Sequence, residues 1–321
     1  MPYQKINDNL EKLPKAFEFC ALLNDAKESE NFLFFTDTHL YNKGEMSDEQ
    51  EQARAQLFLG EMERYYAATP MNFILDGGDW LGDNDTMAEA KGKLCMVDAY
   101  MRAHFHDYYP VLGNHDSNYQ GVDENGVQLG ADRGMSPAES ANLRFRAYGH
   151  PYYSFNGAHT TFFVLDSQID WNATVMNDYK WEQMHFVAKG LQTDAARHYA
   201  IAIHMWWWYE LTSPDAAMVA ELKKIILAYN GREKLKIQDT AYDFTQAQGR
   251  IEFVISGHMH RDLQTQVGTC PVIATTLIRE TGDASFDMVY ADYDNRRLHC
   301  VRVGVGENRT FDLDTGERIL S

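Results

Sequence analysis

VLGNHDSN, residues 111–118, follows an apolar run with a glycine and then with side chains able to hold a metal ion or move a proton. By itself it reads as a strand ending in a turn, because Gly, Asn and Asp are the residues that turns select. Four further segments repeat the arrangement. FFTDTH supplies Asp37 and His39, ILDGGD supplies Asp79, IAIH supplies His204, and VISGHMH supplies His258 and His260, each at the end of an apolar run. In layered α/β sheets ligands bind at the carboxyl ends of strands, where residues distant in sequence meet. Five such ends predict a layered α/β fold with Asp37, His39, Asp79, Asn114, His204, His258 and His260 converging at one edge.

The rest of the chain fits that frame. Strand patterns fall at NFLFFT, MNFIL, DYYPVL, TTFFVL, HYAIAI, EFVIS, PVIATTL, FDMVYADY and RLHCVRV. Several are apolar throughout, as expected of central strands covered on both faces. Between them lie helical patterns. Ser47 and Gln50 form a capping box that opens a helix ending near Pro70. Further helices are expected over 85–105, 137–148 and 178–190, and from Ser213-Pro214 to Asn230-Gly231. Residues 119–136 read as a polar, glycine-containing loop at the rim of a site, and the tail TFDLDTGERIL as a hairpin turning at Asp314-Thr315-Gly316. With no repeat or linker in the sequence, residues 1–321 are expected to form one domain.

A formal charge of −18 works against non-specific binding to nucleic acid or anionic membrane, both of which need a cationic face. Cys20, Cys95, Cys270 and Cys300 are scattered and read as reduced thiols. No signal peptide or membrane-length apolar stretch is evident, so a cytoplasmic protein is the expectation, in which the sequons at Asn84, Asn172 and Asn308 carry no meaning.

Ligand chemistry sharpens the prediction. In Asp37-x-His39 and His258-x-His260 the paired side chains stand at i and i+2, which on an extended backbone puts both on one face. Imidazole, carboxylate and one amide oxygen, without thiolate, suit Mn, Fe or Zn. A carboxylate such as Asp79 has two oxygens and so can bridge two ions about 3.5–4 Å apart, the spacing usual in two-metal hydrolases. His104 and His106 share the H-x-H spacing but follow a helix rather than a strand, and are read as structural. Asp166 also ends a strand and is assigned a supporting role.

The ordered set DxH, GD, GNHD, H and GHxH resembles the calcineurin-like metallophosphoesterases across positions 37–260. PYYSF and FFVLDS resemble that family's hairpin before its second sheet. The resemblance implies a four-layer α/β/β/α sandwich of two mixed sheets with a two-metal centre. Asp37, His39 and His260 would hold one divalent ion, Asp79 would bridge, and Asn114, His204 and His258 would hold the other; Mn, Fe, Zn and Ni are all open. His115 is implied not as a ligand but as the group near the scissile bond, with Asp116 orienting it. The implied activity is hydrolysis of a small phosphate ester by water activated at the two ions, with His115 assisting the leaving group and a diester slightly favoured over a monoester. The alternative is a non-catalytic metal-binding scaffold on the same fold.

Departures narrow the substrate. The GDxVDRG and GNHE motifs of protein serine/threonine phosphatases are absent, and Gly82 stands where purple acid phosphatases carry a tyrosine. After His204, where many relatives show a proline, this chain has Met205-Trp206-Trp207-Trp208. One tryptophan, taken as Trp206, is expected to contact substrate, as is Arg261. A nuclease is disfavoured by the acidic charge, and the oligomeric state is left open.

Overall fold

The computed structural model describes residues 13–40, 47–82, 84–129, 134–167, 173–193, 197–212, 218–275 and 285–320. The order of elements is α1 (Pro14–Leu22), β1 (Ser29–Phe35), α2 (Asp48–Ala68), β2 (Phe73–Asp76), α3 (Met87–His104), β3 (Tyr108–Pro110) and α4 (Pro137–Leu143). Next come β4 (Tyr153–Asn156), β5 (Thr160–Leu165), α5 (Ala173–Thr193), β6 (His198–Ile203), α6 (Trp206–Thr212), α7 (Met218–Asn230), β7 (Lys234–Ile237) and β8 (Thr240–Asp243). The chain continues through β9 (Arg250–Ser256), β10 (Leu263–Val267), β11 (Cys270–Ala274), β12 (Phe286–Asp292), β13 (Arg297–Val303), β14 (Arg309–Asp312) and β15 (Arg318–Ile319).

Two mixed sheets carry the architecture. One runs β15-β14-β13-β12-β1-β2-β3, with β1, β2 and β3 parallel; the other runs β10-β11-β9-β6-β5-β4, with β5, β6, β9 and β11 parallel. Alternation along each strand divides its side chains between two faces. Phe32 and Phe34 of β1 join Phe73, Phe162, Phe253 and Ile255 in a core between the sheets. Leu33 and Phe35 point the other way, packing with Phe58, Met62, Leu94 and Val97 of α2 and α3. On the far sheet, Phe163 and Ile201 face Met184, Val187, Leu222 and Ile226 of α5 and α7. Three cores separate four layers, the α/β/β/α sandwich that the sequence implied.

Local signals explain most boundaries. Ser47–Gln50 forms the expected capping box, and Thr86–Glu89 and Ser136–Glu139 form two more. Helix α4 stops at Leu143, short of the expected 148, because Arg144 turns inward and is buried. The expected start of α7 at Ser213-Pro214 lies outside the described residues, as do the end of PVIATTL and part of the 119–136 loop. The tail pairs β14 with β15 through Thr310↔Ile319 and Phe311↔Arg318, a hairpin as expected. The hairpin β7–β8 and strand β10 were not among the expected strands: KLKI and LQTQV alternate polar and apolar residues, but over only four and five positions and without an apolar run. Among the described residues no helix is long and apolar enough to cross a membrane, and the four cysteines are free thiols.

Candidate metal centre

Five strand ends deliver the site. β1, β2 and β3 end just before Asp37, Asp79 and Asn114, while β6 and β9 end just before His204 and His258. The two sheets thus present their parallel strands to one shared edge. Hydrogen bonds tie the turns together: Asp37 N donates to Gly78 O, His39 N to Asp79 O, and Gly257 N to His204 O. The His258 amide crosses from the second sheet to donate to both oxygens of Asp37, at 3.0 and 2.8 Å.

The backbone here is not the extended one that i, i+2 spacing suggested. Asp37, His39, Asp79, His258 and His260 all have positive φ, between 40° and 72°. Each left-handed residue costs about 1–3 kcal/mol and persists only where surrounding structure enforces it. Asp and His tolerate the conformation better than most residues. The turns therefore aim the paired side chains inward by tight left-handed bends, which corrects the pleated-strand explanation. Close packing forces glycine beside them: a Cβ on Gly257 would lie 2.0 Å from Thr36 Oγ1, and one on Gly113 would lie 2.1 Å from Asp79 Oδ1.

All seven expected side chains meet. Asp37, His39 and His260 form one cluster: His260 Nε2 is 3.1 Å from His39 Nε2 and 3.4 Å from Asp37 Oδ1. Asp79, His204 and His258 form another. Asn114 Oδ1 lies between its two histidines, 3.1 Å from His204 Nε2 and 2.7 Å from His258 Nδ1. Asp79 Oδ2 is 3.0 Å from His204 Nε2 and 3.9 Å from His39 Nε2. Two ligand atoms each about 2.1 Å from one ion and at right angles to it are about 3 Å apart, so these separations suit shared ions. Imidazole orientation is fixed from behind: His39 Nδ1 meets Leu81 O and His204 Nδ1 meets Gly77 O, both at 2.7 Å, leaving each Nε2 directed into the site. A histidine that donates one ring N–H to a carbonyl presents the other nitrogen as a ligand.

Electrostatics agree with cation binding. Burial pushes His39 down to about 4, and burial with the nearby His204 pushes His258 to about 4, so both are neutral at pH 7. Burial also opposes charge on His204, but Asp79 and Asp37 outweigh it and raise its pKa to about 10. Asp79 stays ionised despite burial because His204 and His115 stabilise its charge. A bound ion would take over the balancing role that the His204 proton plays.

Asp116 is a correction. It was expected to orient His115, yet its buried carboxylate accepts from the amides of Asp79, Trp80, Leu81 and Gly113 and pairs with Arg144 Nη1 at 3.1 Å. Its geometry shapes the turn carrying Asp79. Arg144 Nη2 also reaches Asp76 Oδ2 at 2.8 Å and Tyr108 at 2.7 Å, and Trp80 Nε1 donates to Asp76 at 2.6 Å. This ion cluster behind the site escaped the sequence reading. Its signals were Asp76 directly before Gly77-Gly78-Asp79 and Arg144 shortly before the PYYSF hairpin. Thr36, whose Oγ1 donates to Asp37 Oδ2 at 2.7 Å, was missed too.

His115 is partly buried at the rim, its amide donating to Asp79 Oδ1 at 2.8 Å and its ring edge-on to His39 at 4.7 Å. Its imidazole is near enough to His39 and Asp79 to share an ion with them on geometry alone. Trp206 is a second correction: it is wholly buried against the outer face of the far sheet. Trp208 is the tryptophan at the site, its ring 5.5 Å from that of His258. Arg261 is exposed beside His260. His104 and His106 stand apart, paired with Glu63 and Asp107, and Asp166 is buried and accepts from Tyr179.

Comparison with curated proteins gives no match. Among solved structures, a dimetal phosphatase from Danio rerio is similar at 12% identity and TM-score 0.53, covering 91% of this chain and 100% of that one. The phosphopantetheinyl hydrolase of Mycobacterium tuberculosis aligns at 13% identity and TM-score 0.42, covering 78% and 91%. The Plasmodium protein GAP50, described as the anchor in the inner membrane complex, aligns at 12% identity and TM-score 0.44, covering 91% and 87%. Similarity at this identity speaks for the fold, which the first of them shares. The sequence itself matches calcineurin-like phosphoesterase over residues 30–262, a span that includes every residue of the two clusters, and the chain belongs to that family.

Proposed function

We propose that the chain is a dinuclear metal-dependent hydrolase of phosphate esters, with phosphodiesters slightly favoured over monoesters. The observation that carries this reading is Asp79, whose Oδ2 lies 3.0 Å from His204 of one cluster and 3.9 Å from His39 of the other, so that its carboxylate would be shared between the two ions. Asp37, His39 and His260 would hold the first ion, and Asn114, His204 and His258 the second. When bound, the ions supply Lewis acidity toward the phosphoryl oxygens and an acidified water.

The chain's own groups supply the rest. Asp79 Oδ1 holds the His115 amide, which fixes the start of the short 3₁₀ turn His115–Ser117 and sets the imidazole at the rim. From there His115 protonates the departing ester oxygen, the step that general acid catalysis accelerates about 10²–10⁴-fold. Asp116 and Arg144 hold the backbone of both turns that carry Asp79 and Asn114. Mn, Fe, Zn and Ni all suit this donor set.

The test compares hydrolysis of bis-p-nitrophenyl phosphate and p-nitrophenyl phosphate by Mn²⁺-loaded protein, with Asp79→Asn as the blank. Turnover above the blank with the diester faster supports the reading, and none on either ester moves the weight to a metal-binding scaffold. His115→Ala is expected to keep both ions and lose at least about 100-fold in kcat. A variant that loses an ion would make His115 a ligand.

A further inference from the structure

The run Trp206-Trp207-Trp208 is divided by the helix that contains it. Successive residues of α6 are turned by about 100°, so burying two neighbours leaves the third on the outer side. Trp206 is 0% and Trp207 7% exposed, packed with Ile203 and Met205 on the outer face of the second sheet, whereas Trp208 is 47% exposed. Helix α6 begins two residues after His204, so its position is tied to the metal-site edge. The Trp208 ring meets the His258 ring edge to face, at 5.5 Å and 84°. Leu211, one helical step further along α6, is 61% exposed. An apolar strip therefore starts in contact with a metal-site histidine and runs outward from it.

An exposed tryptophan is unremarkable on a surface taken at large. At this place it is not neutral, because the indole touches His258, a member of the second cluster, and so borders the space beside that cluster. On the His115 side stands a second aromatic ring, that of Tyr119, 5.9 Å from the His115 ring. A flat ring stacks on an indole face, whereas a small alkyl group has no ring to stack.

The geometry points to Trp208 as a specificity-determining residue that selects phosphate esters bearing a planar ring. This rests on the phosphoesterase reading and names the substrate class for the same centre. The near-perpendicular ring contact with His258 sets the indole beside the candidate ligand while about half of the residue stays open to solvent.

Calorimetric titration of the Mn²⁺-loaded protein with phenylphosphonate and with methylphosphonate tests it, since the two share the anionic head and need not be hydrolysed. Wild-type protein is expected to bind phenylphosphonate at least about 10-fold tighter. Trp208→Ala is expected to reduce that ratio to about 2, and Trp208→Phe to retain most of it. A ratio that survives in Trp208→Ala overturns the proposal. So does an equal weakening of both ligands together with loss of an ion, which would make the indole only a cover for His258. Binding of both phosphonates without phenyl preference in the wild type defeats the Trp208 assignment alone. Binding of neither defeats the phosphoesterase reading and this inference with it.

Discussion

Replacing Arg144 by methionine tests whether the site is built from behind by a buried ion cluster. The guanidinium is 2% exposed as a residue and is the cation that faces two buried carboxylates, Asp76 at 2.8 Å and Asp116 at 3.1 Å. Removing one member of a buried pair typically costs about 3–5 kcal/mol, because the partner's charge is left uncompensated. Methionine fills much of the space, so the loss is chiefly electrostatic. Burial already pushes the Asp116 carboxyl up against the pull of Arg144. Without the guanidinium it rises further, and a carboxyl whose folded pKa exceeds its unfolded value costs stability increasingly as pH rises above the unfolded value. Urea unfolding of metal-free Arg144→Met should therefore show a deficit of about 3–5 kcal/mol at pH 7.5 and a smaller one at pH 5. The amides that Asp116 holds belong to Asp79, Trp80, Leu81 and Gly113, so metal affinity should fall as well. A deficit below about 1 kcal/mol, or one equal at the two pH values, would refute the reasoning.

Other outcomes follow from the same electrostatics. The His204 pKa of about 10 means that the metal-free site carries a proton there at pH 7, which an ion must expel, whereas His39 and His258 near 4 have none to lose. Calorimetry of Mn²⁺ binding at pH 6.5 in buffers of different ionisation enthalpy should show about one proton more released by wild type than by His204→Asn; equal release would show His204 neutral before binding. Away from the site, burial would raise Asp287, but Arg302 and Arg309 outweigh it and hold its pKa at about 2. This group therefore contributes about 2 kcal/mol that is fully present above about pH 4 and lost as pH falls through 2. The stability difference between wild type and Asp287→Asn should shrink across that window, and a difference constant from pH 6 to pH 2.5 would count against the pairing.

Much of the site was legible because strand ends are marked twice, by the apolar run and by the polar residues that stop it. VLGNHD, IAIH and VISGHMH each carry both marks, and the layered fold follows from their number. What stayed hidden depends on direction rather than composition. The left-handed turns at Asp37, His39, His258 and His260 leave no signature beyond the neighbouring glycines. Asp116 sits beside His115 in sequence, yet its side chain turns inward to backbone amides, a choice set by Arg144 from 28 positions away. The three tryptophans looked equivalent until α6 fixed their phase, which buried the one expected to touch substrate. The short helix α6 itself was hidden because consecutive aromatic residues suit a strand as well as a helix.

The most direct test of a two-ion phosphoesterase centre is a titration of metal-free protein with Mn²⁺, following bound ions and hydrolysis of bis-p-nitrophenyl phosphate together, with Asp79→Asn in parallel. Two equivalents are expected, with hydrolysis rising as the second binds and the variant losing both the second ion and turnover. Full activity at one equivalent, or hydrolysis indifferent to Asp79, would contradict the bridged centre.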